Sequence, residues 1–264
     1  MKPYFSVIIV SYNAGITIEQ TIQSVLSQSY DNYEIIVKDA VSKDNTLSYI
    51  PKSDKIKVYS EKDTGIYDGM NSAIKYASGK YLIFLNCGDC FASSEVLQKV
   101  YEKSIAMQEE DCIIYGDYIR NEVLFKQPSK IYDFYLYRTP LCHQSMIFAR
   151  TLFEKYGGYD LSFKICADYD FTVKTYKDKM PYVYIDIPIC KYLGGGVSES
   201  KKGSKIKNND YKVIKKKYFK KRERFFYSIK IFFSFRKLRS LLISDKSPKW
   251  IRKLYRKIVN KINK

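Results

Sequence analysis

Tyr81-Leu82-Ile83-Phe84-Leu85-Asn86-Cys87-Gly88-Asp89 is the stretch on which the fold turns. A continuous apolar run closed by turn formers reads as a strand buried on both faces. Such strands belong to sheets covered by helices, so the run specifies an α/β layer. Its end delivers a lone carboxylate, Asp89, to the edge of the sheet. In open α/β sheets ligands lie outside the carboxyl ends of strands. One carboxylate at such a place suits a divalent ion that keeps its remaining positions for phosphate and water.

Working outward, strand and helix signals alternate. Residues 5–10 are β-branched and bounded by Asn13 and Gly15, and residues 17–28 put Ile18, Ile22, Val25 and Leu26 on one helical face. Strands follow at 34–37 and 56–59, separated by a short helix over 44–50 that Pro51 closes. Residues 66–77 form a helix with Met70, Ala73, Ile74 and Ala77 on one face, residues 81–85 a fourth strand, and 112–115 a fifth. Between those last two, Ser93 is expected to cap a helix running to about Met107. Helices of this length between strands predict parallel pairing with right-handed crossovers. The second half is less regular: strands at 144–148 and 182–187, a helix at 168–177, and a glycine break at 194–196.

The charge divides the chain. Of a net +18, residues 201–264 carry 24 lysines and arginines against 3 acids, whereas residues 1–200 carry 22 against 25. The reading is a mildly acidic α/β domain over 1–200 and a basic, helical, amphipathic tail over 201–264. Six cysteines are scattered among apolar runs as reduced core thiols are, and the Cys87-x-x-Cys90 pair has no second pair at metal spacing. No signal-peptide pattern is expected, and no run reaches the roughly 18 apolar residues that span a bilayer.

Taken jointly, several motifs resemble glycosyltransferase family 2, the inverting enzymes with the GT-A fold. They are Ser6–Asn13, Asp39 with Ser42-Lys43-Asp44-Asn45-Thr46, and Gly157-Gly158-Tyr159-Asp160 with Asp168 and Asp170. Residues 60–71, the Asn86-Cys87-Gly88-Asp89 segment and Cys142-His143-Gln144-Ser145 are similar to a bacterial subgroup that builds O-antigen, capsule and exopolysaccharide. The likeness covers about residues 3–198. It implies a mostly parallel, Rossmann-like sheet flanked by helices, and transfer of a sugar from a nucleoside-diphosphate donor, UDP-linked for choice, to a hydroxyl of a lipid-linked glycan.

The resemblance also assigns residues. Asp39, at the end of the second strand, is placed on the uracil. Ser11, Tyr12, Asn13, Asp63, Asn71 and Asn86 are placed around the donor, with Tyr67 and Asp68 in the same turn, which reads equally as an ordinary helix start. Asp89 takes the last position of the Asp-x-Asp-type metal motif, holding Mg²⁺ or Mn²⁺. Asn86 and Gly88 stand where carboxylates are common. Asp168 matches the general base, with Ala167 replacing the usual glutamate and Asp170 as the fallback base. His143, Gln144 and Asp170 are expected against the acceptor or diphosphate.

In the basic tail, residues 211–218, 225–233 and 250–258 interleave aromatic and aliphatic residues with Lys and Arg. That pattern suits helices lying in the headgroups of an anionic membrane, at the cytoplasmic face of the inner membrane, where a lipid-linked acceptor is presented. Nucleic acid is the competing partner for such a pattern. No recognised module accompanies it, and no nucleic acid is expected. The runner-up reading is a non-catalytic sugar-nucleotide or nucleic-acid binding protein.

Overall fold

The computed structural model describes residues 2–107, 111–194 and 200–234, with 233 and 234 described by backbone alone. The first half runs β1 (Phe5–Ser11), α1 (Thr17–Leu26), β2 (Tyr33–Asp39), β3 (Ile56–Ser60), α2 (Ile66–Ile74), β4 (Tyr81–Phe84), β5 (Cys90–Phe91) and α3 (Val96–Ile105). Then follow β6 (Ile113–Arg120), β7 (Val123–Phe125), α4 (Asp133–Arg138), β8 (Met146–Ala149), α5 (Thr151–Tyr156) and α6 (Ala167–Lys177). The described chain closes with β9 (Tyr182–Tyr192), α7 (Lys201–Tyr218) and α8 (Lys221–Ser234). The strands form one sheet in the order β3-β2-β1-β4-β8-β6-β9-β5, with β7 beside β6.

β1, β2, β3 and β4 are mutually parallel, so the carboxyl ends of β1, β2 and β4 lie along one edge. All four residues of β4 are buried, as the apolar run requires. The fifth strand does not extend this parallel set directly. β8 lies antiparallel between β4 and β6, and parallel pairing resumes only at β6–β9. The reason is topological: the chain leaves β4 through α3 and returns to its neighbour position only after the β6–β7 hairpin and α4. β5 follows Asp89 at once and pairs antiparallel with Cys190 and Lys191 of β9, which brings the end of β9 over the β4 edge.

Two local expectations change. The short helix expected at 44–50 is a 3₁₀ turn, Thr46–Tyr49. Asp44 takes up the Thr46 amide, at 3.1 Å, and the Thr46 hydroxyl accepts the amides of Ala14 and Gly15, at 2.8 and 2.9 Å. These side-chain bonds compete with a regular helical turn and stitch the loops after β1 and β2 together. Ser93 does not cap α3. Glu95 stands at the cap position, and Gln28 of the loop after α1 accepts the Leu97 amide at 3.0 Å.

The described part of the basic segment is packed rather than pendant. α7 buries Ile214 fully, and Phe219 after it is 2% exposed. Tyr211 sets its ring edge-on to Tyr169 of α6 at 5.1 Å. Lys217 reaches Asp170 at 3.1 Å and Asp160 at 3.8 Å. The apolar face expected to meet a membrane at 211–218 is therefore largely occupied by the domain. α8 uses Tyr227 against Tyr137 and Phe134 of α4, while Phe225, Phe226 and Phe232 stay more than half exposed. The expected membrane stretch at 250–258, and the side chain of Phe233, lie outside the described residues. No described helix is long and apolar enough to cross a membrane. A boundary near residue 200 survives as a change of composition, but in packing α7 belongs with the sheet.

Ile214→Ala tests that packing. We expect it to lower the unfolding free energy of the whole domain by about 2–4 kcal/mol, the usual cost of emptying a buried aliphatic site. Urea melts followed by tryptophan-independent far-UV signal and by nucleotide binding should shift together. An unchanged melt would show α7 to be a separable appendage.

Candidate active site

Asp39 ends β2 with its side chain wholly out of water. Four donors meet it: the Ser11 hydroxyl at 3.0 Å, the Ser42 amide at 2.8 Å, the Ser42 hydroxyl at 2.5 Å and the Ser60 hydroxyl at 3.0 Å. Burial pushes its carboxyl up, yet these bonds outweigh it and hold the group below the ordinary aspartate value. Three of the four are hydroxyls, which can turn away, so a ring N–H can be accepted only by displacing one of them. Asn13, in the left-handed region at φ 49°, donates its amide to Ser42 and accepts that of Lys43. Tyr12 beside it is 60% exposed, an open ring at the mouth of the groove.

Asp89 follows β4. The loop that carries it is fixed by Gly88, at φ 95°, whose amide donates to the Thr21 hydroxyl of α1 at 2.8 Å. A side chain at Gly88 would be strained there and would press on Leu193. Asp89 itself is 4% exposed; among the described residues it accepts the Leu193 amide at 3.3 Å and the Gln144 side-chain amide at 3.2 Å. Burial dominates and the two long bonds offset it little, so its carboxyl is pushed up to about 6. The side-chain oxygen of Asn86 is buried with no hydrogen-bond partner among the described residues. The Cys87 thiol is pushed up to about 12 by burial and by the charges of Asp39 and Asp89, so the two carboxylates share one neighbourhood. All six cysteines are free.

An orphaned amide oxygen next to an under-bonded carboxylate is a set of hard oxygen donors, which fits Mg²⁺ or Mn²⁺. Among the described residues no cluster of three or more His, Cys, Asp and Glu side chains stands ready to hold a metal ion. The remaining ligands for such an ion would come from phosphate and water.

Asp168 lies in the first turn of α6 and is partly exposed. Its Oδ1 is 2.7 Å from the Tyr67 hydroxyl of α2. The two other residues expected nearby are turned elsewhere. Asp170, two positions on, projects from another side of the helix, is 3% exposed and is held by Lys217, so its carboxylate ties α6 to α7. Asn71 clasps the backbone of Tyr159, donating to its carbonyl at 2.9 Å and accepting its amide at 2.7 Å. That close approach needs Gly158, where any Cβ would overlap the Asn71 amide. Both ends of the Asn71 amide, expected around the donor, are thus engaged by the Tyr159 backbone.

His143 is also part of the wall. It is 7% exposed, its Nε2 is 2.8 Å from the Tyr159 hydroxyl, and its ring packs beside Phe84 and Phe148. Burial lowers its pKa although the Asp168 charge opposes this, so the imidazole is neutral near pH 7. His143 was expected against the acceptor or diphosphate; in the fold it meets Tyr159, and the adjacent Gln144 reaches Asp89. Asp63 accepts the Gly65 amide at 3.1 Å and lies 3.7 Å from the ammonium of Lys38. Asp68 accepts the amide and hydroxyl of Thr64, both at 2.9 Å, and serves the start of α2.

Lys38 was missed by the sequence reading. Its side chain is fully buried, donating to the carbonyls of Glu61 and Asp39 at 2.6 and 3.2 Å. Its signal was present: a lysine inside the buried run Ile35-Ile36-Val37-Lys38 must be paired. Thr21 and Asp210, which holds the Ile165 amide at 3.2 Å, had no such signal.

The family described as Glycosyl transferase family 2 matches residues 6–159. This chain belongs to that family. It is 30% identical over 222 residues to the Escherichia coli "UDP-Glc:alpha-D-GlcNAc-diphosphoundecaprenol beta-1,3-glucosyltransferase WfgD", covering 81% of this chain and 83% of that protein. It is 27% identical over 206 residues, 75% of this chain and 80% of the other, to a "PGL/p-HBAD biosynthesis glycosyltransferase" of Mycobacterium bovis. The crystal structure of S. aureus TarS 1-349 superposes with a TM-score of 0.65 at 17% identity, covering 99% of this chain and 80% of that one. The likeness shows the GT-A fold. A family 2 member is a glycosyltransferase, and the strand-end carboxylates are read in that light from here on.

The raised Asp89 makes a prediction about stability. An unfolded aspartate titrates near roughly 3.9, so the folded chain holds the extra proton between there and about 6. The stability due to the neutral form is complete below the lower value and is lost as pH rises through the upper one. Asp89→Asn should therefore raise the unfolding free energy by about 1–3 kcal/mol at pH 8 in EDTA, with little gain near pH 4. A difference between variant and parent that does not change with pH, in paired urea melts, would refute the burial argument.

Proposed function

We propose that this chain is an inverting glycosyltransferase that moves a sugar from a UDP-linked donor to a hydroxyl of a lipid-linked glycan, in O-antigen, capsule or exopolysaccharide synthesis. The observation that carries the proposal is one continuous wall. Asp89 meets Gln144, the adjacent His143 meets Tyr159, and Tyr159 packs its ring 5.4 Å from that of Tyr67, which holds Asp168. This chain of contacts joins a buried carboxylate, suited to the diphosphate and its ion, to a reachable carboxylate suited to the acceptor. UDP and a diphospholipid acceptor are supported by the name of the E. coli relative.

In this reading Ser11, Asp39, Tyr12 and Asn13 receive the base and ribose, and Asp63 borders them. Asp89 and Asn86 would hold the divalent ion, which when bound supplies positive charge against the leaving diphosphate. Asp168 takes the proton of the acceptor hydroxyl as that oxygen forms its bond to the anomeric carbon. The bond from the anomeric carbon to the diphosphate oxygen breaks, and the electron pair leaves with UDP. A single displacement of this kind inverts the anomeric centre. The exposed Phe225, Phe226 and Phe232 of α8, alongside Arg222 and Lys230, support a peripheral position on an anionic membrane at the cytoplasmic face.

Purified chain would be given a panel of nucleotide sugars with Mg²⁺ or Mn²⁺ and undecaprenyl-diphosphate glycans, with products read by mass spectrometry and anomeric configuration by NMR. Asp168→Asn should keep UDP affinity and lose about a hundredfold or more in turnover. Asp89→Ala should lose transfer and weaken UDP binding in the presence of the ion. Full activity of Asp89→Ala, or a retained anomeric configuration, overturns the mechanism. Phe225→Ser with Phe226→Ser should reduce sedimentation with anionic vesicles while leaving UDP affinity intact; undiminished sedimentation removes α8 from the membrane contact.

A further inference from the structure

Tyr67 has one phenolic proton and two acceptors. Its oxygen lies 2.6 Å from the carbonyl of Ile165 and 2.7 Å from Oδ1 of Asp168. The residue is 8% exposed, so water does not share the hydroxyl. Burial, and after it the Asp168 charge, push the phenol well above its ordinary value, so it remains a donor throughout the working pH range. The Ile165 end is itself held, because Asp210 of α7 accepts the Ile165 amide. Among the described residues no side chain or amide donates to Oδ2 of Asp168.

We infer that Tyr67 is a positioning residue for the base: it fixes Asp168 through Oδ1, leaves Oδ2 alone to meet the acceptor hydroxyl, and turns its hydroxyl between Asp168 and the Ile165 carbonyl as the base changes charge, keeping its own proton. The inference rests on Asp168 being the base. While Asp168 is ionised the charge-assisted bond to Oδ1 is the stronger of the two. When the acceptor proton arrives on Oδ2, the carboxyl becomes neutral and a weaker acceptor, and the phenol has the Ile165 carbonyl at hand. No covalent bond to Tyr67 is made or broken; only its hydroxyl turns. The other titratable groups that sense Asp168 are His143 from the turn before β8, Tyr159 from the loop after α5, Cys166 before α6, and Tyr211 of α7. Burial pushes His143 toward its neutral form and raises the Tyr159, Cys166 and Tyr211 groups, so these last three keep their protons between pH 5 and 8.

The test is the pH profile of Tyr67→Phe. Loss of the donor to an ionised carboxylate should move the acidic limb of kcat/KM up by about one pH unit. Loss of orientation should lower kcat by about ten- to a hundredfold with UDP affinity unchanged. The double variant Y67F/D168N should be no worse than Asp168→Asn alone, since the two act as one unit. A 3,5-difluorotyrosine at position 67 is a stronger donor of nearly the same shape and should move the acidic limb down. If Tyr67→Phe fails to melt cooperatively, this variant decides. An acidic limb unmoved in both variants, with Asp168→Asn inactive, overturns the role of Tyr67 and leaves the base intact. A fully active Asp168→Asn overturns the base, and this inference with it.

Discussion

A carboxylate removed from water must be met by donors or give up its charge, and that constraint organises this molecule. Parallel packing buries β2 and β4 completely and β1 at all but Val10, so any acid at their ends begins at a disadvantage. Asp39 is compensated by four donors and stays ionised. Asp89 has two long bonds and is half-way to neutrality near pH 6. Asp168, at a helix N-terminus, has a single phenol and partial access to solvent. The three form a series from a fully satisfied acid to an under-satisfied one, and then to a reachable one.

The scaffold around them is built to keep that series apart. Thr21 and Gly88 shape the loop that presents Asp89, and the short β5–β9 pairing brings the Leu193 amide to it. Asn71 and Gly158 lock Tyr159 against His143, between the Asp89 and Asp168 ends of this wall. Tyrosine is abundant here, and its buried hydroxyls do structural duty: Tyr115 donates to the Pro128 carbonyl and Tyr169 to that of Leu136. Lys38 similarly settles its charge on two carbonyls and Asp63 beneath the donor end.

The basic helices link the site to the surface on which a lipid-linked acceptor would arrive. α7 touches the segment leading into Asp168 through Asp210 and holds the far side of α6 through Lys217. α8 then turns one aromatic face to α4 and another outward. A charge imbalance that reads as a tail in one dimension is, over α7, packed against the domain in three.

The sequence by itself determined the parallel β1–β4 sheet edge, the helices α1 and α2, and the strand-end places of Asp39 and Asp89, because periodicity and strand ends are local properties; Asp168 was singled out by the family resemblance. It also determined the family, through motifs that are specific only together. Tertiary structure decided the rest. The antiparallel insertion of β8 depends on which strand the chain returns to, and periodicity carries no such information. Asp170 and Asp168 look equivalent along the chain, yet α7 claims the first and Tyr67 the second. Asn71 and His143 carry polar groups that sequence reasoning aimed at ligands; the fold supplied backbone and phenol partners first. A side chain's type states what it is able to bond, and only the packing of distant segments states what it does bond.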